Sequence, residues 1–208
     1  MAPHLNTVDI PASISKRIQR RIVFSDSGIN IEKPLSLDAD IFIPSDSISA
    51  FRFGIESMHF FGMTFCRQYF IEIKDEQNKI FRLKLSSYYG IRREQFFKLW
   101  ADLLDNFWNM YMINQLNFYK ELYDIQQTFE LSGVTFYADG IGWEEDVRLK
   151  WNEIAVRSYQ THFVIHQVDD LSKSKCCVFS IHWNAVVLQS LLKEIIKQPT
   201  KVRKSSWL

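Results

Sequence analysis

Cysteine, glycine and proline are all scarce in this chain of 208 residues. It has 7 Gly and 5 Pro, too few for a collagen-like repeat or a Pro/Gly-rich disordered chain. The three cysteines are an odd number and two of them, Cys176 and Cys177, are adjacent, so we expect no disulfide framework. We therefore predict a reducing, cytoplasmic location, in which these thiols and Cys66 pack as small hydrophobic side chains.

The chain also lacks an excess of one charge and a long apolar run. Its 25 Lys and Arg balance 24 Asp and Glu, which argues against a nucleic-acid partner. No stretch reaches the roughly 18 apolar residues of a membrane span. Polar residues and prolines interrupt the first 21 residues, so we expect no secretory signal. Apolar residues still make up 47% of the chain and aromatic residues 15%, enough for a packed core.

Sequence signatures of catalysis are missing as well. The chain has no Gly-rich phosphate loop, no Gly-x-Ser-x-Gly motif and no His-Glu-x-x-His motif. We interpret Glu144, Glu145 and Asp146 as a solvated turn, and Asp102 and Asp105 as the polar side of a helix. The sequence thus predicts a protein that is not an enzyme, with no catalytic residue, cofactor or metal.

Alternation of apolar and polar residues predicts antiparallel strands in the first half. The predicted strands include residues 22–24, 29–31, 41–43, 48–53 and 57–66, the last bent at Gly62. The clearest hairpin follows at 69–85, with one apolar face and a charged turn. If it is symmetric about Gln77, Glu72 lies opposite Arg82 as a favourable cross-strand pair.

After Gly90 the apolar residues recur every three or four positions, which predicts a long helix at about 92–125. Because two apolar stripes run side by side, this helix must be covered on more than one side. We therefore predict that it forms a homodimer. The residues predicted at that interface are Trp100, Trp108, Tyr111 and Tyr119. A second helix is predicted at 185–197, before Pro199.

The second half also holds a candidate zinc site. A hairpin over roughly 161–183, symmetric about residue 172, would place three histidines and one cysteine on one sheet face. These residues are His162, His166, His182 and Cys176. However, His162 and His166 would then be about 13 Å apart along the strand. Exposed histidines on a sheet face are the favoured interpretation.

The order of elements occurs twice. Residues 24–29 (Phe-Ser-Asp-Ser-Gly-Ile) match 136–141 (Phe-Tyr-Ala-Asp-Gly-Ile), and residues 43–48 match 149–154 as a strand end, a polar turn and a strand start. A charged-tip hairpin and an amphipathic helix follow in each copy. This matching order predicts two similar structural units.

The second copy is shorter than the first. From Ile48 to Ile71 is 23 residues, whereas from Ile154 to Ile165 is 11. We count about seven strand candidates in the first copy and about six in the second. The second unit is therefore predicted to be reduced.

Meandering strands, a polar turn before the strand Ile48-Ser-Ala-Phe-Arg52, a charged-tip hairpin and a closing helix resemble the pleckstrin-homology-like (PH-like) fold, most closely its bacterial members. In that family a helix caps a partly open barrel of about seven strands. The resemblance implies an α+β, mainly β protein with two tandem PH-like antiparallel barrels or sheets, each followed by a helix, the first one long. The implied organisation is a flexible leader (1–18), module 1 (19–125), a reduced module 2 (126–198) and a basic tail (199–208).

Members of this family that bind phosphoinositides use Lys and Arg around the first hairpin. The corresponding turns here contain Asp26 and Asp139 and no cation, and a carboxylate there would repel a phosphate. We therefore expect binding of a protein or peptide partner through a sheet edge or a barrel groove. The alternative is a peripheral membrane protein whose basic ends contact anionic lipid. Its predicted contacts are Lys16, Arg17, Arg20, Arg21, Lys201, Arg203 and Lys204.

Overall fold

The computed structural model of this protein describes residues 5–12, 18–33, 39–144 and 146–197. It confirms an α+β fold that is mainly strand, in which seven strands precede a long helical segment and seven more precede a shorter helix. The contacts divide the chain into two units. Unit 1 runs to Gln115 and includes Phe179–Trp183, and unit 2 comprises Leu116–Val178 and the residues from Asn184 onward.

Unit 1 contains two antiparallel sheets, of four and three strands, in the orders β1-β2-β3-β4 and β5-β6-β7. The strands are β1 (Asn6–Pro11), β2 (Ile18–Ser25), β3 (Gly28–Glu32), β4 (Ile41–Pro44), β5 (Ile48–Phe60), β6 (Met63–Asp75) and β7 (Ile80–Tyr88). Helix α1 (Arg93–Phe107) packs on β6 and β7. At the centre, the Phe107 ring contacts Phe24 edge-on and stacks on Phe51, with centroids 5.3 and 6.1 Å apart.

Two sequence predictions for unit 1 need correction. Residues 6–11 of the expected leader form β1, which pairs with β2 and buries Ile10. Asp9 and Pro11 had hidden the short alternation of this strand. Residues 57–66 are not one bent strand, because a turn at Phe61 and Gly62 divides them between β5 and β6.

The long helical segment extends from Arg93 to Asp124, within one residue of each predicted end. A π-helical turn, Trp108–Met112, separates α1 from α2 (Ile113–Asp124). A π-helical turn has a longer repeat than an α-helix, so it shifts the buried stripe along the sequence. Met112 is consequently buried, whereas Met110, which the simple periodicity places in the stripe, is half-exposed.

Unit 2 repeats the arrangement with shorter strands. Its sheets have the orders β8-β9-β10-β11 and β12-β13-β14. The strands are β8 (Phe129–Leu131), β9 (Val134–Tyr137), β10 (Gly140–Trp143), β11 (Val147–Lys150), β12 (Ile154–Ser158), β13 (His162–Gln167) and β14 (Ser174–Val178). The expected count of six strands was one too few. Helix α3 (Ala185–Lys197) has the predicted bounds and packs on β12.

The strand registers confirm the internal repeat. Phe24 pairs with Ile29 across the β2–β3 turn, and Phe136 pairs with Ile141 across the β9–β10 turn. All four side chains are buried. The matched sequence segments therefore form the same structural element in both units.

The repeat extends to individual hydrogen bonds at the turn that follows the fourth strand of each unit. The Ser45 hydroxyl donates to the Asp26 carbonyl oxygen, and the Trp151 indole Nε1–H donates to the Ala138 carbonyl oxygen. Different side chains thus make the same connection in the two units. The closing helices also begin alike, because Arg92 and Asn184 each have a φ of 57° just before the helix.

Candidate functional site

A groove runs along β7 in unit 1. Strand β7 is the last strand of its sheet, and its outer edge faces the ends of β1 and β2 across a cavity of about 190 Å³. The residues that line the cavity are Ile10, Pro11, Gln19, Arg20, Lys84, Leu85, Ser86, Tyr88 and Phe96. All of them belong to unit 1.

Strand alternation gives the groove an apolar floor and a polar rim. Successive side chains of β7 point to opposite faces, so Leu85 is buried while Lys84 is exposed. Ile10 and Phe96 are also buried and complete the floor. Gln19 is exposed and lies at the rim. The groove therefore presents hydrogen-bonding groups at its rim, above apolar side chains that are themselves almost fully covered.

The charges along this groove are all positive. Arg20 and Lys84 are its only charged lining residues, and no carboxylate lines the described part. The next residue, Arg21, is neutralised because its Nε lies 2.8 Å from the Asp9 carboxylate and its Nη1 lies 4.0 Å from Glu32. The hydrogen bond to Asp9 raises the pKa of Arg21. Of these neighbouring arginines, Arg20 supplies the positive charge of the groove.

The other predicted contacts to an anionic surface lie outside the described residues. They are Lys16, Arg17, Lys201, Arg203 and Lys204. Sequence reasoning selected Arg20 for its position in a basic cluster. It missed Lys84, which alternates with apolar residues like any solvent-facing strand residue.

Two of the four predicted interface residues are buried within unit 1. Trp100 donates its indole N–H to the Phe70 carbonyl oxygen at 3.1 Å. Tyr111 donates its hydroxyl to the Ser25 carbonyl oxygen at 3.0 Å, and burial raises the pKa of Tyr111 to about 12. Their polar atoms are therefore used inside the unit.

Trp108 and Tyr119 are half-buried and keep exposed surface. The Tyr119 ring lies 5.4 Å from Phe129, and burial raises the pKa of Tyr119. The homodimer stays a prediction, and these two side chains are the ones of the four with surface available for it.

A row of charges crosses the sheet of β5, β6 and β7. Glu72 pairs with Arg82 in the register, as predicted, and with Arg52 on the other side. The buried Glu72 carboxylate accepts a hydrogen bond from Arg52 Nε at 2.6 Å and lies 3.2 Å from Arg82 Nε. Because a buried carboxylate needs such partners, we interpret this row as structural.

The segment Phe179–Trp183 corrects the predicted second hairpin. It does not extend β14 opposite β13, but packs on β5 of unit 1. The Phe53 amide donates to the Phe179 carbonyl oxygen, and the two rings stack 5.4 Å apart. Arg52 donates to the Ile181 carbonyl oxygen and lies over the Trp183 ring.

The zinc interpretation is wrong in its register. His162 pairs with Val178 and His166 pairs with Ser174, so His182 is not opposite His162. No group of three or more His, Cys, Asp or Glu side chains in the described ranges could hold a metal ion.

The three cysteines are free thiols. Cys66 and Cys177 are buried, whereas Cys176 is exposed. Burial raises the pKa of Cys66, and it raises the pKa of Cys177 to about 11. These two thiols are therefore protonated at neutral pH and act as core side chains.

No protein-family model and no curated protein matches the chain. Within the part of the chain that the structure describes, no helix is long and apolar enough to cross a membrane.

Proposed function

We propose that this protein is a non-catalytic binding protein built from two tandem PH-like modules. Each half has four strands, then three strands, then a closing helix, the arrangement expected for that fold. Module 1 recognises an extended, acidic segment of a protein partner in the groove beside β7. The observation that carries this proposal is a sheet edge next to two cations.

The edge of β7 suits an extended peptide. The outer edge of a terminal strand presents backbone N–H and C=O groups that a further strand can pair with. Peptides that bind by strand addition gain affinity from these backbone bonds and specificity from alternate side chains. Here one set of peptide side chains would lie beside the rim residues Gln19, Arg20 and Lys84.

The positive charges of the groove determine which peptides it binds. With Arg20 and Lys84 at its rim, the groove attracts Glu and Asp and repels Lys and Arg. Attraction between exposed charges weakens within a Debye length of about 8 Å at physiological ionic strength. Binding should therefore decrease when salt is added.

Three labelled twelve-residue peptides test this function by fluorescence anisotropy. They alternate Val with Glu, with Ser or with Lys, so they differ only in charge. We expect the Glu peptide to bind most tightly, and Arg20→Glu together with Lys84→Glu to weaken it about tenfold or more. The matched control is Arg157→Glu, an exposed cation on β12, which should leave binding unchanged.

Hydrogen exchange locates the bound peptide. The Glu peptide should slow amide exchange in β7 and leave β12–β14 unaffected. Equal binding of all three peptides, or binding that the charge reversal does not alter, would contradict the proposal.

The alternative function, attachment to anionic lipid through the basic ends, is supported by sequence alone. Near a membrane each cation contributes roughly 1 kcal/mol. Replacing Lys201, Arg203 and Lys204 with Ser should then release the protein from anionic vesicles in a flotation assay. Groove binding of the Glu peptide should not change in that variant.

A further inference from the structure

Strands β5 and β6 extend beyond the rest of their sheet. Strand β7 ends at Tyr88, which pairs with Cys66. Pairing between β5 and β6 continues past that point to Phe60 and Met63. Residues 58–65 therefore form a two-stranded projection, which we call the apolar ribbon.

The apolar ribbon exposes a continuous group of large hydrophobic side chains. No Asp, Glu, Lys or Arg occurs from 57 to 66. The exposed fractions are 47% for Met58, 88% for Phe61, 72% for Met63 and 36% for Phe65. Tyr89, 74% exposed, adds its ring 4.9 Å from that of Phe65. Single exposed hydrophobic residues are common, but a contiguous group indicates a binding surface.

The fold does not require this projection. Ile48 and Asp75, which pair at the base of the β5–β6 hairpin, are 27 residues apart. The equivalent pair in unit 2, Ile154 and Gln167, is 13 residues apart. The second hairpin forms the same corner with 14 fewer residues, so the added length has another use.

The turn residue at the apex is unusual. Phe61 has a φ of 47° and Gly62 a φ of 75°, the two positive values of a type I′ turn. Asn and Gly are favoured at the first position because a bulky side chain is strained there. The chain nevertheless places Phe at the most exposed point of the ribbon. A locally unfavourable residue that is also exposed points to contact with something outside the protein.

We propose that the apolar ribbon inserts into the interface of a lipid bilayer that contains anionic lipid. A projecting hairpin can enter a bilayer without a preformed cavity in a partner. Its strands pair with each other at Phe60–Met63 next to the turn, and the backbone groups on the outer edges of the ribbon keep their hydrogen bonds to water at the depth of the interface, which the hydrocarbon core would not allow. This surface adjoins the groove at Tyr88, which lines the groove and whose ring lies 5.8 Å from that of Phe65, but none of the ribbon residues 58–65 lines the groove.

The charged residues that adjoin the ribbon in the sequence fit an anionic surface. The segments that adjoin it, residue 67 and residues 88–98, contain four cations and one acid. They are Arg67, Arg92, Arg93 and Lys98 against Glu94. Glu56, next to the ribbon on β5, is neutralised by Arg82 at 2.7 Å. In the sequence, Tyr88 and Tyr89 precede Arg92, Arg93 and Lys98, and Tyr is enriched at the membrane–water interface.

Sedimentation with vesicles tests the proposal on the full chain. The probes are phosphatidylcholine vesicles with and without about 30% phosphatidylserine. We expect the anionic vesicles to bind the protein and the neutral vesicles to bind it more weakly. Phe61→Asp combined with Met63→Asp should lower binding about tenfold or more, because both charges would enter the interface.

Phe61→Asn separates binding from folding. Asn is favoured at this turn position, so the variant should keep or raise the thermal unfolding temperature while losing vesicle binding. Phe61→Leu should retain most of the binding. The matched control is Leu171→Asp, which adds a charge at a 60% exposed apolar residue between β13 and β14 and should have no effect.

Four results would overturn the proposal. One is wild-type protein that binds neither vesicle, and another is Phe61→Asn that binds as wild type does. The third is a ribbon-dependent dimer by light scattering without vesicle binding, which would make the ribbon a contact between copies of this chain. A protein that loses vesicle binding only when Lys201, Arg203 and Lys204 become Ser would also contradict it, since the basic tail would then suffice.

Discussion

The middle strands of the two three-stranded sheets, β6 and β13, carry different residue types at the equivalent position. The residue is charged in unit 1 and apolar in unit 2. In unit 1, Glu72 of β6 pairs with Arg52 and Arg82. In unit 2, the residue at the equivalent register of β13 is Val164, which pairs with Arg157 and Cys176. One row is ionic and the other is largely apolar, although the strand order is the same.

This difference shows that the charged row is not needed to form the sheet. Replacing a buried ion pair with apolar side chains of suitable size is often neutral, whereas removing one partner is costly. The row in unit 1 instead accompanies the segment Phe179–Trp183, because Arg52 donates to Ile181 and lies over Trp183. In unit 1, the charged row therefore lies where the segment Phe179–Trp183 packs on the sheet.

The largest expected effect comes from the two glycines that the repeat places at the same turn. A Cβ at Gly140 would lie 1.9 Å from the Leu149 carbonyl oxygen, and a Cβ at Gly28 would lie 2.3 Å from the Ile43 carbonyl oxygen. Because both obstacles are backbone atoms, Gly→Ala at either site should cost about 3 kcal/mol or more of unfolding free energy. Chemical denaturation measures this cost.

Gly62→Ala is the control for these variants. Its φ is +75° but nothing lies within 4 Å of the added Cβ, so we expect a loss of only about 1 kcal/mol. If all three variants lost the same free energy, close packing at the repeated turn would not be the cause.

The second largest loss of stability is expected from changes in the charged row formed by Arg52, Glu72 and Arg82. Glu72→Val alone should cost about 2–3 kcal/mol, because it leaves Arg82 and Arg52 without their shared carboxylate. Glu72→Val with Arg82→Cys reproduces the row of unit 2 and should cost about 1 kcal/mol. Urea denaturation of the single and double variants compares the two. A double variant less stable than the single would contradict the equivalence of the two rows.

Alkaline pH should destabilise the two units over different ranges. The pKa of Cys177 rises from 9.0 to about 11 on folding, and that of Tyr111 from 10.0 to about 12. A raised pKa means that the folded state favours the protonated group, so its stabilisation is complete below the unfolded pKa and is lost through the folded pKa. Each group should cost roughly 2 kcal/mol across its range.

Two variants test whether Cys177 and Tyr111 cause the loss of stability at alkaline pH. Cys177→Ala should remove the decrease between pH 9 and 11, and Tyr111→Phe should remove the decrease between pH 10 and 12. Denaturation curves recorded from pH 8 to 12 provide the measurement. Unchanged pH profiles in both variants would show that other groups cause the loss.

The smallest effect is expected from shortening the long hairpin. Replacing residues 59–65 with Asn-Gly joins Met58 directly to Cys66, which pair in the register, through a favoured two-residue turn. Because residue 59 and residues 61–65 are exposed, the unfolding free energy should change by less than about 1 kcal/mol. Thermal unfolding measures this, and a loss of several kcal/mol would mean that the ribbon supports the fold.

Parts of the fold that depend on neighbouring residues could be predicted from the sequence. Alternation along β6 and β7 and the turn between them placed Glu72 opposite Arg82, and the helical period gave the bounds of α3. Similar turn sequences revealed the repeat at Phe24 and Phe136. These patterns are local, because strand and helix periods are set by the chain's own geometry.

The candidate site could be predicted only in part. Arg20 stood out in a basic cluster, but its partner Lys84 is 64 positions away in the sequence, and β1, which helps to form the groove, carries only a short apolar alternation. The apex of the ribbon was mistaken for a bend, since Phe61 is not a typical turn residue.

Sequence periodicity thus determined which segments become strands and helices and which faces of them are apolar. Tertiary structure alone decided that Phe179–Trp183 crosses to β5, that a π-helical turn brings Met112 into the core, and that β7 borders a groove. Each of these depends on pairing or packing between residues far apart in the chain. Such contacts form only when they compensate the entropy of closing the loops between them, and no local pattern records that balance.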